Sequence, residues 1–221
     1  MHEPTRGAFA DEISRLEQDL LKMGSVVEQM VHKSVDALVT RNVAAANEVL
    51  AMDDAVDHFN ISIENRCLQL LALQQPMARD LRTIAAAMKI ITDIERAGDY
   101  AVDIAKTAKA LADSLVFRPH PQLKPMAELV KRMIREVLEA FVQRDVSLIE
   151  AAIQADDAID HLNRLIIDDL VASVKETPAA AEELMQAILV SRYLERIADH
   201  MTNVGERVYY METGELKELH T

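Results

Sequence analysis

At 221 residues, with half of its side chains apolar, the chain can bury a sizeable core. Its 24 basic residues against 37 acidic ones leave a formal charge of −13, which repels the nucleic-acid backbone and excludes sequence-independent DNA or RNA binding. Five glycines, six prolines, no tryptophan and a single cysteine exclude an internal disulfide framework and argue for helices over sheets.

In chain order, the N-terminal run Met1-His2-Glu3-Pro4-Thr5 lacks the apolar segment of a secretion signal. No later stretch reaches the ~20 apolar residues that span a bilayer, so a soluble, cytoplasmic protein is expected. Ile13, Leu16, Leu20, Met23, Val27, Met30, Val31, Val35 and Leu38 recur at three- and four-residue spacing, which predicts a helix from about residue 10 to 40. After a turn at Arg41-Asn42-Val43 a second helix runs to about residue 74. It carries Cys67 in an apolar run, where a buried, inert thiol is expected. Pro76 suits the first turn of a third helix, ending near residue 114, because it lacks only an amide that the helix leaves unpaired. Residues 117–125 hold three of the six prolines and mark a boundary. Three further helices follow, from about 125 to 143, 146 to 175 and 178 to 210, with Thr177 as a cap before Pro178. Helices near thirty residues are ~45 Å long.

The second half repeats the first. Asp53-Asp54-Ala55-Val56-Asp57-His58-Phe59-Asn60 returns as Asp156-Asp157-Ala158-Ile159-Asp160-His161-Leu162-Asn163, with six of eight residues identical. Ala37-Leu38-Val39-Thr40-Arg41-Asn42-Val43 matches Ala140-Phe141-Val142-Gln143-Arg144-Asp145-Val146, and Glu95-Arg96-Ala97-Gly98-Asp99 matches Glu195-Arg196-Ile197-Ala198-Asp199. Blocks repeated in one order imply a duplicated unit of roughly one hundred residues. The predicted fold is therefore all-α: two tandem three-helix bundles related by pseudo-two-fold symmetry, over residues 9–115 and 123–212.

Four carboxylate pairs stand at i,i+4: Asp53/Asp57, Glu95/Asp99, Asp156/Asp160 and Glu195/Asp199. That spacing puts both charges of a pair on one helix face. Sequential helices joined by a short turn run antiparallel and adjacent. Asp57 and Asp99 then lie about 27 and 36 Å from the turn at Gln75, so the two pairs of each copy are expected to meet. Like charges ~5 Å apart cost about 3 kcal/mol at an effective dielectric near 20. Raised pKa values, arginine partners or bound cations relieve that cost. Arg96 and Arg196 follow their motif acids by about 100° of helix rotation and are expected to compensate poorly. Oxygen donors suit Mg²⁺, Mn²⁺, iron or Ca²⁺, and nearby imidazole admits Zn²⁺. A single pair would read as a solvated face; four, repeated in register, favour cation binding.

Neighbouring residues divide in their readings. His58 and His161 repeat but face away from the aspartates, and His200 has Tyr100 as its counterpart. Asp103 and Asn203 extend the third-helix stripes, while Glu64 extends the second helix of the first copy where the second copy has Ile167. The first site is thus the richer in charge. Gly98 removes bulk beside an acid pair, either for close helix approach or as a tolerated helix glycine. No Glu-x-x-His of a ferritin-like di-iron site occurs, nor a phosphate-cradling glycine loop or nucleophile elbow. A carboxylate-bridged metalloenzyme and a metal-free acidic scaffold remain the competing readings.

Gln74-Gln75-Pro76-x-x-x-Asp80-Leu81-Arg82, Ile94-Glu95-Arg96-Ala97-Gly98-Asp99 and Leu194-Glu195-Arg196-Ile197-Ala198-Asp199-His200 resemble the PhoU family across about residues 11–210. These are accessory regulators of bacterial phosphate-specific transport. The resemblance implies two three-helix bundles with multinuclear metal clusters, iron or zinc foremost, with Mg, Mn or Ca as further options. It places their ligands at Asp53, Asp57, Glu95, Asp99, Asp156, Asp160, Glu195 and Asp199. It also implies a non-enzymatic repressor of the phosphate-starvation response that bridges the phosphate ABC transporter's ATPase subunit and a membrane sensor histidine kinase. A homodimer that meets the membrane only through those partners is the expected form.

Overall fold

Residues 6–74, 76–215 and 217–218 are described by a computed structural model, and every regular element among them is helical. The helices are α1 (Arg6–Thr40), α2 (Val43–Gln74), α3 (Arg79–Leu111), α4 (Leu123–Gln143), α5 (Ser147–Glu176) and α6 (Ala181–Thr213), with a 3-10 turn at Pro178–Ala180 before α6. Residues 1–5, read for a secretion signal, and Gln75, at the expected α2–α3 turn, lie outside the described residues.

Three boundaries differ from the sequence reading. α3 starts at Arg79, because the chain turns through Ala78 at φ 46° and ψ −107°, a positive-φ conformation that no helix continues. Pro76 therefore precedes the helix instead of opening it. Pro125 is not the first residue of α4, which starts at Leu123; proline is tolerated there because first-turn amides have no intrahelical partner. Thr177 does sit before Pro178, but its side chain makes no capping hydrogen bond, and a 3-10 turn takes up the gap before α6.

The repeated Arg41-Asn42-Val43 and Arg144-Asp145-Val146 close their helices in the same way. Both arginines have φ 57°. The next amides, of Asn42 and Asp145, donate back to Ala37 O at 2.9 Å and Ala140 O at 3.2 Å, satisfying carbonyls that a helix end leaves open. Asn42 Oδ1 then accepts from Ala45 N at 3.0 Å, and Asp145 Oδ1 from Ser147 N at 2.9 Å.

α1, α2 and α3 pack on one another, as do α4, α5 and α6. The bundles join through α1 against α4 and α3 against α6, the latter being the most extensive contact in the molecule. α2 and α5 stay on the outside, so one broad face presents the helices in the order α2, α3, α6, α5. Both joints are antiparallel: His32 meets Glu128 at 3.0 Å and Asp36 meets Lys124 at 2.7 Å across α1/α4. Apolar burial runs through both joints, from Leu16, Val27 and Ile94 to Leu138, Phe141 and Met201, as one continuous core. Two bundles in sequence are thus one packed body. No helix among the described residues is long and apolar enough to cross a membrane.

Candidate metal-binding grooves

The first groove lies between α2 and α3. Val56 and Ile63 point into the core, so Asp53, three residues before Val56, and Asp57, one residue after it, emerge along the edge of α2. Ile94, Ala97 and Ala101 do the same for α3 and bring Glu95 and Asp99 to its edge. The two pairs meet. Burial first, then the charges of Asp57, Asp99 and Asp54, pushes the Asp53 carboxyl above its ordinary value. Glu95 is raised by burial and Asp99, with Asp57 and Asp53 of the facing helix adding to it and Arg96 opposing.

In the second groove, between α5 and α6, Asp160 acts on Glu195 in the same way. Glu195 is raised by burial, then by Asp199, with Asp160 of the facing helix adding, while Arg192 and Arg196 pull it down. Glu195 Oε1 accepts from Arg192 Nη1 at 2.7 Å. Its other oxygen, Oε2, is buried and accepts no hydrogen bond; Arg196 Nε stands 3.8 Å away, too far to donate.

The arginines overturn one expectation. Arg96 reaches Asp99 at 2.9 Å and Glu95 at 3.6 Å, and Arg196 reaches Asp199 at 3.1 Å. A step of i,i+3 turns back by about 60°, well within reach of a long side chain lying along the helix surface. Both guanidinium groups are about half exposed, so solvent screens the compensation they provide.

Between the grooves, α3 and α6 meet through groups the pseudo-symmetry exchanges. His200 Nδ1 lies 2.9 Å from Asp93 Oδ1, and Tyr100 stacks on Tyr193 with ring centroids 5.8 Å apart. Positions 93 and 193, and 100 and 200, are equivalent in the repeat, so a polar pair fills one half of the seam and an aromatic pair the other. The sequence marked His200 only as the counterpart of Tyr100; Asp93 was missed because only the antiparallel α3/α6 contact brings it near. Asn163 was also passed over, although it closes the repeated octet. It is 3% exposed, lies one turn beyond Asp160, and its Oδ1 has no hydrogen-bond partner.

His58 and His161 are exposed, as expected of residues facing away from the grooves. Cys67 is fully buried, and burial above all pushes its thiol up to about 12, leaving it inert. Gly98 is not needed for close approach: a methyl there would stand 3.5 Å from Val56 Cγ1, an ordinary contact.

Among the described residues no three His, Cys, Asp or Glu side chains converge as placed on a common ligand point. The donors nonetheless fit a hard or borderline cation. They are all oxygens, they repel one another across each groove, and one buried carboxylate oxygen lacks any donor. Asp53, Asp57, Glu95 and Asp99 would hold such a group in the first groove, and Asp156, Asp160, Glu195 and Asp199 in the second. Side-chain rotation about fixed helices is what closure on an ion requires.

Fold and grooves together define an internally duplicated helical protein with one acidic groove per repeat. The family profile described as PhoU domain matches it twice, over residues 20–108 and 123–208. The chain is 36% identical over 216 residues to the phosphate-specific transport system accessory protein PhoU homolog of Clostridium acetobutylicum, covering 97% of this chain and 99% of the relative. It is 37% identical over 205 residues to the Aquifex aeolicus homolog, covering 93% of each. The crystal structure of PhoU from Pseudomonas aeruginosa superposes with a TM-score of 0.89 at 32% identity, over 94% of this chain and 100% of that one. The phosphate transport system regulatory protein PhoU from Streptococcus pneumoniae gives 0.87 at 31%, over 95% and 99%. The chain belongs to the PhoU family.

Proposed function

We propose that this protein is a non-enzymatic, metal-binding adaptor that represses phosphate uptake and the phosphate-starvation response. It links the ATPase subunit of a phosphate ABC transporter to a membrane sensor histidine kinase. The observation that carries this reading is similarity along nearly the whole chain to relatives named as phosphate-specific transport accessory proteins. It works in the cytoplasm as a homodimer and touches the membrane only through its partners. The metal part is supported by the mutual repulsion of Asp53, Asp57, Glu95 and Asp99 in the first groove, of Asp160, Glu195 and Asp199 in the second, and by the donorless Glu195 Oε2. Iron or zinc clusters are the foremost occupants.

Deleting the gene for this chain should derepress phosphate-starvation genes in phosphate-rich medium, and restoring the wild-type chain should repress them again. Normal phosphate control in the deletion strain defeats the regulatory reading. Elemental analysis of untagged protein decides the metal part separately. A metal-free protein that still represses is an acidic helical adaptor, and metal-dependent turnover of a phosphoester would favour the carboxylate-bridged enzyme instead.

A further inference from the structure

The two grooves share their motif acids but differ in the cations built around them. Superposing the repeats sets Thr92 opposite Arg192 and Ile61 opposite Arg164. Arg192 Nη1 lies 2.7 Å from Glu195 Oε1, and Arg164 Nη1 lies 4.0 Å from Asp160 Oδ2. In the first groove the matching side chains carry no charge: Thr92 gives its hydroxyl to Met88 O at 3.3 Å, and Ile61 is 59% exposed. Among the described residues Asp53 and Asp57 take part in no ion pair.

We infer that Arg192 is a resident positive charge that replaces part of the metal charge in the second groove, making the first groove the tighter cation site. This rests on the metal-binding reading above. Arg164, 68% exposed, is screened by solvent and adds little. A guanidinium on Glu195 Oε1 occupies one of its two oxygens and cancels about one negative charge, leaving Oε2, Asp160 and Asp199 to face an incoming ion. It also repels that ion directly. One exchange runs the other way, with Lys106 in the first repeat where the second has Glu206. Lys106, however, is 63% exposed and binds Asp103 at 3.0 Å, one turn past the motif; its pull on Asp53 is the smallest of the influences on that carboxyl, and solvent screens it. Arg192 touches a motif carboxylate whose own exposure is only 13%. Although Arg192 itself is 40% exposed, its less exposed contact outweighs that of Lys106.

The test is titration of the full-length, chelator-stripped protein with Mn²⁺ alone, free Mn²⁺ being read by electron paramagnetic resonance. Two classes of site are expected. Asp57→Asn/Asp99→Asn should abolish the tighter class and Asp160→Asn/Asp199→Asn the weaker. Arg192→Thr should tighten the weaker class about tenfold, and Thr92→Arg should loosen the tighter class by a similar factor, the size of one unit charge moved at short range. Arg192→Lys should keep the parent affinity. All of these positions lie on helix surfaces, and helicity by circular dichroism checks each variant. Two classes of equal affinity, or classes that ignore both single exchanges, overturn the inference and leave metal binding standing. A parent that takes up no Mn²⁺ overturns metal binding, and the inference falls with it.

Discussion

Gly24 and Gly98 sit in similar apolar stripes, yet they make opposite demands on their surroundings. A methyl on Gly24 would overlap Leu138 Cδ1, and Leu138 is itself held in the α1/α4 joint at 4% exposure. A methyl on Gly98 meets Val56 and Val27 at 3.5 and 3.6 Å. Gly24→Ala should therefore cost about 1–3 kcal/mol by overpacking, while Gly98→Ala should be neutral or gain up to about 1 kcal/mol of helix propensity. Urea unfolding of both variants checks this, and the account fails if Gly24→Ala is as stable as the parent. The sequence drew attention to Gly98, which neighbours a motif. Gly24 had no such mark, since which helix lies against it depends on how two distant segments pack.

The helices themselves carry the acid pairs, and here local periodicity suffices. An i,i+4 spacing on any helix stacks two side chains, and two successive helices on a short turn must lie side by side. Asp53/Asp57 with Glu95/Asp99, and Asp160 with Glu195/Asp199, are juxtaposed as that reasoning requires. Cations that bind only the folded pair stabilise it in proportion to RT ln(1 + [L]/Kd). Chelation at neutral pH should lower the melting temperature of the parent, and Asp160→Asn/Asp199→Asn should respond less. Equal responses would place the ions elsewhere. The arginines were harder to read, because a guanidinium's place depends on rotamers that lie along the helix surface. Arg41 and Arg144 show the same limit. The repeat marked them, but not that Arg41 would hold Ser114 O and Phe117 O at 2.8 and 2.6 Å, or that Arg144 would bridge Glu17 at 3.0 Å and Glu212 at 3.1 Å.

Over the whole molecule a charge of −13 is spread on one packed body, and its effect on stability has a definite sign. Asp53, Glu95, Glu195 and Glu17 are all raised above their ordinary values, with burial the first cause of each. A carboxyl raised by folding favours the folded state when protonated, and that contribution is lost as pH rises through its folded value. Metal-free protein should therefore melt at a higher temperature near pH 5 than near pH 7.5, on the order of a few degrees. Asp145 runs against this trend, because Ser147 lowers it, but its loss falls below the ordinary aspartate range. Saturating metal should flatten the slope by holding the groove acids ionised. A melting temperature that falls between pH 7.5 and 5 in excess chelator would contradict the burial of these acids.

The sequence alone determined the helices, their duplication, the pairing of acids on single faces and the pairing of faces within each bundle. All of these follow from 3.6-residue periodicity and from short connections. The tertiary structure decided how the bundles join. That joint places Asp93 on His200, Tyr100 on Tyr193 and Gly24 against Leu138, and it merges two cores into one. Such contacts link residues about a hundred positions apart, where no local spacing constrains the partner and only the fit of one whole surface against another selects it.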